Sequence, residues 1–101
     1  MREEVGFLNV SLRQKQKIRE GICYHLMVSR SQFFWTRKHT VIGDVYEYVS
    51  YAEKQVPLGI FYEALEKLKE DGIIEYYSSE TYSTITILDE SRCFQIGHRY
   101  L

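Results

Sequence analysis

The stretch from Val56 to Tyr76, VPLGIFYEALEKLKEDGIIEY, decides the predicted fold. It opens with Pro57, whose missing N–H suits the first turn of a helix, where that group has no intrahelical partner. Its apolar residues then recur at spacings of three and four, as on the buried stripe of a surface helix: Phe61, Ala64, Leu65 and Leu68. Glu63 and Lys67 form a favourable i, i+4 pair on the polar side. Gly72 supplies the left-handed residue with which helices often end.

After Gly72 the pattern changes to the two-residue period of β-strands. Residues 73–77 are the first predicted strand and residues 82–88 the second, with a polar turn at residues 78–80. In the second strand threonines alternate with isoleucines: Thr84, Ile85, Thr86 and Ile87. A helix, a glycine and a hairpin in this order are the second half of a winged helix-turn-helix, so the predicted fold class is α+β.

The same residues carry a family resemblance. The run GIFYEALEKLKEDGII, from Gly59 to Ile74, resembles the recognition helix and the start of the wing in winged-helix regulators, most closely the PadR-like pattern. Similar helices occur in phage replication organisers and in small winged-helix proteins of archaeal viruses. The resemblance covers roughly residues 40–88 and implies three helices, a two- to three-stranded antiparallel wing sheet and DNA binding. It departs from PadR in lacking the long C-terminal dimerisation helix, so that family's dimer mode is not carried over.

We expect the 101 residues to form one domain. It comprises an N-terminal arm (residues 1–10), a winged-helix core (11–88) and a C-terminal tail (89–101) that either extends the wing or contacts another subunit. Ser11 is the predicted N-cap of a first helix that ends near Val28, and residues 29–36 are a short strand. A second helix begins near Thr40, and its predicted apolar face consists of Val41, Ile42, Val45, Val49 and Ala52.

Charge is distributed unevenly along the chain, although the formal net charge is only −1. Residues 1–43 carry eight Lys/Arg and three acids, a net charge of +5, and residues 44–101 carry a net charge of −6. Such a dipolar distribution can orient a protein on a polyanion. Two basic clusters are candidates for phosphate contacts, with solvated helix faces as the alternative: Arg13, Lys15 and Lys17, and Arg37, Lys38 and His39.

Candidate base and groove contacts follow from the winged-helix geometry, in which the N-terminal turns of the recognition helix enter the major groove. These residues lie in the recognition helix and the turn before it: Lys54, Gln55, Leu58, Gly59, Tyr62, Glu63 and Lys67. Gln55 is the best candidate for direct readout, and Glu63 can accept a hydrogen bond from a cytosine amino group. The predicted wing contacts are Ser78, Ser79 and Thr81.

Other functional classes lack their motifs in this sequence. No catalytic motif, metal-ligand cluster or phosphate-cradling loop is present, so we predict neither an enzyme nor a cofactor, metal or small-molecule substrate. No apolar run is long enough to span a bilayer and the N-terminus has no apolar signal core, which favours an intracellular protein that does not bind membranes. Cys23 and Cys93 have two alternative states, a pair of reduced thiols or a disulfide.

Two functional hypotheses remain. The first is a small homodimeric winged-helix transcriptional regulator, of viral origin in one interpretation, that binds double-stranded DNA sequence-specifically. The second is a winged-helix protein–protein adaptor in a viral or phage replication or transcription assembly. The acidic recognition helix and the wing without Lys or Arg favour the second hypothesis.

Overall fold

The computed structural model describes residues 11–33, 39–40, 42–78 and 83–100. These residues have an α+β fold in which helices pack against one small antiparallel sheet. The elements in chain order are α1 (Leu12–Phe33), β1 (His39–Thr40), α2 (Ile42–Ala52), α3 (Leu58–Glu70), β2 (Ile74–Ser78), β3 (Ser83–Ile87) and α4 (Glu90–His98). The described residues therefore contain four helices rather than the three expected.

The sheet has the strand order β1-β3-β2, and both pairings are antiparallel. β2 and β3 pair over their whole length, from Ile74 opposite Ile87 to Ser78 opposite Ser83. The two residues of β1 extend the sheet on the other edge of β3. Ile74 and Ile85 are the buried strand residues, and they attach the sheet to the helical core.

All four helices contribute to one hydrophobic core. Its large, fully buried side chains come from α1, α2, α3 and the sheet region: Ile18, Ile22, Leu26, Val45, Val49, Phe61, Leu65, Leu68, Ile73, Ile74 and Ile85. The predicted apolar stripe of α3 is thus confirmed at every position. Burial of this stripe supplies most of the reason why α3 forms, since the stability of helices in proteins comes mainly from packing an apolar face.

α1 begins as predicted and ends later than predicted. The Ser11 hydroxyl oxygen accepts a hydrogen bond of 3.0 Å from the backbone N–H of Gln14, which confirms the N-cap. The predicted end at Val28 and the predicted strand from residue 29 are wrong, because residues 29–33 continue the helix. No glycine or proline interrupts this run, and adding residues to an existing helix is easier than starting a new element. The rest of the predicted strand, residues 34–36, lies outside the described residues.

α2 begins at Ile42, because Thr40 belongs to β1 rather than to the helix. Ile42, Val45 and Val49 are buried as predicted, whereas Ala52 at the end of the helix is exposed. Val41 lies outside the described residues.

α3 ends, as predicted, at a glycine in the left-handed conformation. Gly72 has φ of +77°. The backbone N–H of Ile73 donates to the carbonyl of Leu68, and the N–H of Gly72 donates to the carbonyl of Lys69, each at 3.0 Å. The left-handed residue turns the chain directly into β2. The two strands lie within one residue of their predicted bounds at each end.

The C-terminal tail is the main departure from expectation, because residues 90–98 form a helix that packs along α1. Asp89 is its N-cap and accepts a hydrogen bond of 3.1 Å from the backbone N–H of Arg92. Cys93 and Gly97 lie four residues apart and are both buried. The prediction of a strand extension failed because apolar residues in so short a segment fit either period.

Candidate nucleic-acid interface

The turn between α2 and α3 is fixed by hydrogen bonds to its backbone. The carbonyl of Ser50 accepts from the N–H of Gln55 at 2.7 Å, and the Ser50 hydroxyl oxygen accepts from the N–H of Val56 at 3.3 Å. The Tyr46 hydroxyl donates to the carbonyl of Val56 at 2.7 Å. Tyr46 also packs edge-on against the buried Phe61, with ring centroids 5.0 Å apart. The Tyr46 side chain therefore links the turn to the hydrophobic core.

Lys54 and Gln55 occupy an uncommon backbone conformation within this turn. Their φ angles are 60° and 72°, in the left-handed region that side-chain-bearing residues rarely adopt. Both residues are exposed, so the turn presents a cation and an amide to solvent just before α3. The sequence prediction selected both residues as contacts, although it did not foresee their backbone conformation.

The N-terminal end of α3 is open. Pro57 is the N-cap residue, and no side chain caps the helix there. The first N–H groups of a helix lack intrahelical partners and carry the positive end of the helix dipole. Leu58 is 54% exposed, and Gly59, which has no side chain, is also exposed. A ligand can therefore approach the backbone of this first turn closely.

The later part of α3 is engaged with the rest of the protein. Tyr62 is half-buried, and its ring lies 5.7 Å from that of Phe61 and 6.2 Å from that of Tyr76. Glu63 does not pair with Lys67 as predicted: it lies 3.5 Å from Lys15 of α1. Lys67 instead lies 3.5 Å from Asp71. The two ion pairs are largely exposed and therefore weak.

The last turns of α3 are tied to β2. The Tyr76 hydroxyl donates to a Glu66 carboxylate oxygen at 2.7 Å, and this bond, with burial, raises the pKa of Tyr76 to about 12. The Lys69 ammonium lies 5.4 Å from the centre of the Tyr76 ring and 3.7 Å from the Glu75 carboxylate. The end of α3 available for a ligand is consequently its N-terminal one.

The three α1 cations that were predicted as phosphate contacts do not share one surface. Lys15 faces α3 through its ion pair with Glu63, whereas the Lys17 ammonium lies 5.9 Å from the ring centre of Tyr100, which follows α4. Arg13 is exposed and lies four residues before Lys17, on the same side of the helix and opposite Lys15. The structure thus brings one of the three predicted phosphate contacts beside the predicted recognition helix.

A groove of about 590 Å³ separates the N-terminal half of α1 from α3. Its charged lining contains both signs: Lys15, Arg19 and Lys67 are the cations, and Glu63, Glu66 and Glu70 are the anions. Sequence reasoning missed this groove, because the approach of two helices distant in sequence leaves no local signal.

The remaining predicted site residues lie elsewhere. Ser78 ends β2 and is exposed, and the backbone of His39 pairs with Thr86 in the sheet. Arg37, Lys38, Ser79 and Thr81 lie outside the described residues. Cys23 and Cys93 are both fully buried as free thiols, one on α1 and the other on α4.

Within the described part of the chain, no group of three or more His, Cys, Asp or Glu residues is arranged to hold a metal ion. None of the helices described there is both long and apolar enough to cross a membrane. Comparison of the chain with protein-family models, with curated proteins and with solved structures finds no match.

Proposed function

We propose that the chain is a winged-helix protein that binds double-stranded DNA, with α3 as the recognition helix and the β2–β3 hairpin as the wing. The observation that carries this proposal is the hydrogen-bonded turn before α3, which presents Lys54 and Gln55 beside the exposed Leu58 and Gly59 of an uncapped helix N-terminus. In winged-helix and other helix-turn-helix proteins the same end of the second helix enters the major groove.

Each exposed group at this end has a defined use on DNA. Lys54 supplies a charge for a backbone phosphate, and the open N–H groups of the first α3 turn favour a phosphate oxygen. Gln55 can bond both N6 and N7 of an adenine, and Leu58 can contact a thymine methyl group. Because the N–H groups of Gln55 and Val56 both donate to Ser50, the backbone is held on either side of Gln55, and its side-chain amide starts from a well-defined position.

The ion pair between Glu63 and Lys15 makes both side chains less available for the DNA contacts predicted for them. A Glu63 carboxylate that reads a cytosine amino group must first leave the Lys15 ammonium at 3.5 Å. We therefore place direct readout at Gln55 and Leu58, and the strongest phosphate contact at Lys54. So few contacts give one chain limited affinity, which is why we propose a homodimeric regulator that binds two half-sites.

The proposal is tested by measuring the affinity of purified protein for labelled duplex DNA at several salt concentrations. Lys54→Gln removes the charge and keeps a long side chain, so we expect weaker binding to every sequence and a salt slope smaller by about one unit per subunit. Gln55→Ala should instead change the preference among sequences, by about 1–3 kcal/mol at one base pair.

The matched control is Lys69→Gln, which makes the same charge change in the last turn of α3, where Lys69 faces Glu75. We expect this variant to bind DNA like the unmodified protein. Equal losses in Lys54→Gln and Lys69→Gln would indicate nonspecific attraction to a charged protein and would contradict a contact at the turn.

A second candidate function is protein–protein adaptation through the groove between α1 and α3. Its mixed charges, with Lys15 and Glu63 paired across it, suit a protein surface of alternating charge better than a polyanion. If the chain is an adaptor of this kind, the unmodified protein does not bind duplex DNA even at low salt. The variants Lys54→Gln and Lys69→Gln then show no binding either.

A further inference from the structure

α1 and α4 approach each other closely enough for their backbones to touch. Gly97 of α4 is buried, and a Cβ atom placed on it would lie 2.9 Å from the backbone nitrogen of Tyr24 and 3.0 Å from the carbonyl carbon of Cys23. Contacts of 3.0 Å or less to backbone atoms leave no room for a side chain. Glycine at this position therefore permits the close approach.

The same approach brings the two cysteines of the chain together. Cys93 lies four residues before Gly97 and hence on the same side of α4, the side that faces Cys23. Both cysteines are 0% exposed and belong to one hydrophobic cluster. The helices that carry them pack along each other, and the two thiols therefore lie within the same buried region.

We propose that Cys23 and Cys93 are a disulfide site, at which a covalent bond joins α4 to α1. Since the chain contains two cysteines, one intramolecular pairing exists. The structure shows its reduced form, with both thiols free and buried in one hydrophobic cluster. Bond formation then requires no new packing of helices, because the two helices that carry the cysteines are already in contact.

The oxidant is a low-molecular-weight disulfide. The thiolate of one cysteine attacks a sulfur atom of this disulfide, which forms a mixed disulfide and releases one small thiol. The thiolate of the other cysteine then attacks the protein sulfur of the mixed disulfide and displaces the second small thiol. The protein loses two protons and two electrons overall, and the oxidant takes them up as it is reduced to two thiols.

Burial makes this reaction slow in the closed protein. The hydrogen bond to Cys93, followed by burial, raises the pKa of the Cys23 thiol, so the attacking thiolate is scarce. The first attack therefore requires a brief separation of α4 from α1, and a nine-residue helix at one end of the described residues is well suited to local opening. Once closed, the disulfide links most of the chain into one loop and should raise the unfolding midpoint by on the order of 10–20 °C.

The test is to incubate the folded, reduced protein with oxidised glutathione, quench with acid, unfold and alkylate free thiols. We expect a monomer on a non-reducing gel, a mass lower by two hydrogens, and no alkylation at either cysteine. The oxidised protein should unfold at a higher temperature than the reduced protein, and a reductant should reverse both changes.

Cys23→Ser and Cys93→Ser are the matched controls, and each should remain unable to form the internal bond and should show no rise in midpoint. The comparison of oxidised with reduced unmodified protein does not depend on either variant folding. Thiols that stay free after incubation close to the unfolding midpoint, disulfide-linked dimers, or a lower midpoint after oxidation would each overturn the proposal.

Discussion

Gly72 shows how one residue sets the path of the chain. Its φ of +77° lets α3 end and β2 begin within a few residues. This position could be predicted, because a glycine just after the last apolar residue of a helix commonly adopts the left-handed conformation that ends the helix. The N-cap at Ser11 could also be predicted, because a serine hydroxyl oxygen often accepts a hydrogen bond from a backbone N–H in the first turn of a helix, as it does here.

The first prediction compares two glycines under the same substitution. Gly72→Ala should lower the free energy of unfolding by about 1 kcal/mol, because a Cβ atom is disfavoured at positive φ. Gly43→Ala should raise it by up to ~1 kcal/mol, since Gly43 is exposed on α2 and a Cβ there meets no atom within 4 Å. Urea denaturation measures both values, and effects of the same sign would contradict the assigned backbone conformations.

The backbone conformation of Lys54 and Gln55 could not be predicted from the residues themselves. Neither residue favours positive φ, yet both adopt it. The cause lies in partners several residues away, because Ser50 holds Gln55 and Val56, and Tyr46 holds the carbonyl of Val56. Tertiary hydrogen bonds can impose a conformation that the local sequence disfavours.

Among the elements, length and periodicity decided which ones could be predicted. α3 carries a buried stripe over its whole length, and the four apolar positions predicted for this stripe are all buried, although the buried Ile60 was not among them. The end of α1 and the whole of α4 were missed: the aromatic run suggested a strand, and the tail was too short to show a period. α1 continues because extending an existing helix is easier than starting a new element, and α4 forms where it packs along α1.

At the level of elements, the contact between α1 and α4 yields the second prediction. Gly97→Ala should lower the free energy of unfolding by about 1–3 kcal/mol, because the added Cβ meets backbone atoms that cannot move aside. Gly21→Ala is the control, as its Cβ would meet the Tyr100 ring at 3.1 Å, a side chain that can shift. Chemical denaturation should show the smaller loss for Gly21→Ala, and a Gly97→Ala protein as stable as the unmodified one would contradict the close packing of α4.

Over the part of the molecule that the structure describes, the basic half of the sequence is not kept apart from the acidic half. α1 brings Lys15 against Glu63, and the segment after α4 brings Tyr100 against Lys17. Tyr100 also donates a hydrogen bond to Glu53, beside the turn that precedes α3. The sequence predicts α3 as a recognition helix but could not predict which cations lie beside α3, because that depends on how the helices pack.

The central claim is that the N-terminal end of α3 binds duplex DNA, and its most direct test is a titration of labelled random duplex with purified protein over a series of salt concentrations. We expect binding at low salt that weakens as salt rises, with a slope of log affinity against log salt of about −2 to −4, the value for a dimer with a few phosphate contacts. Absence of binding at the lowest salt, or an affinity that does not change with salt, would contradict the claim.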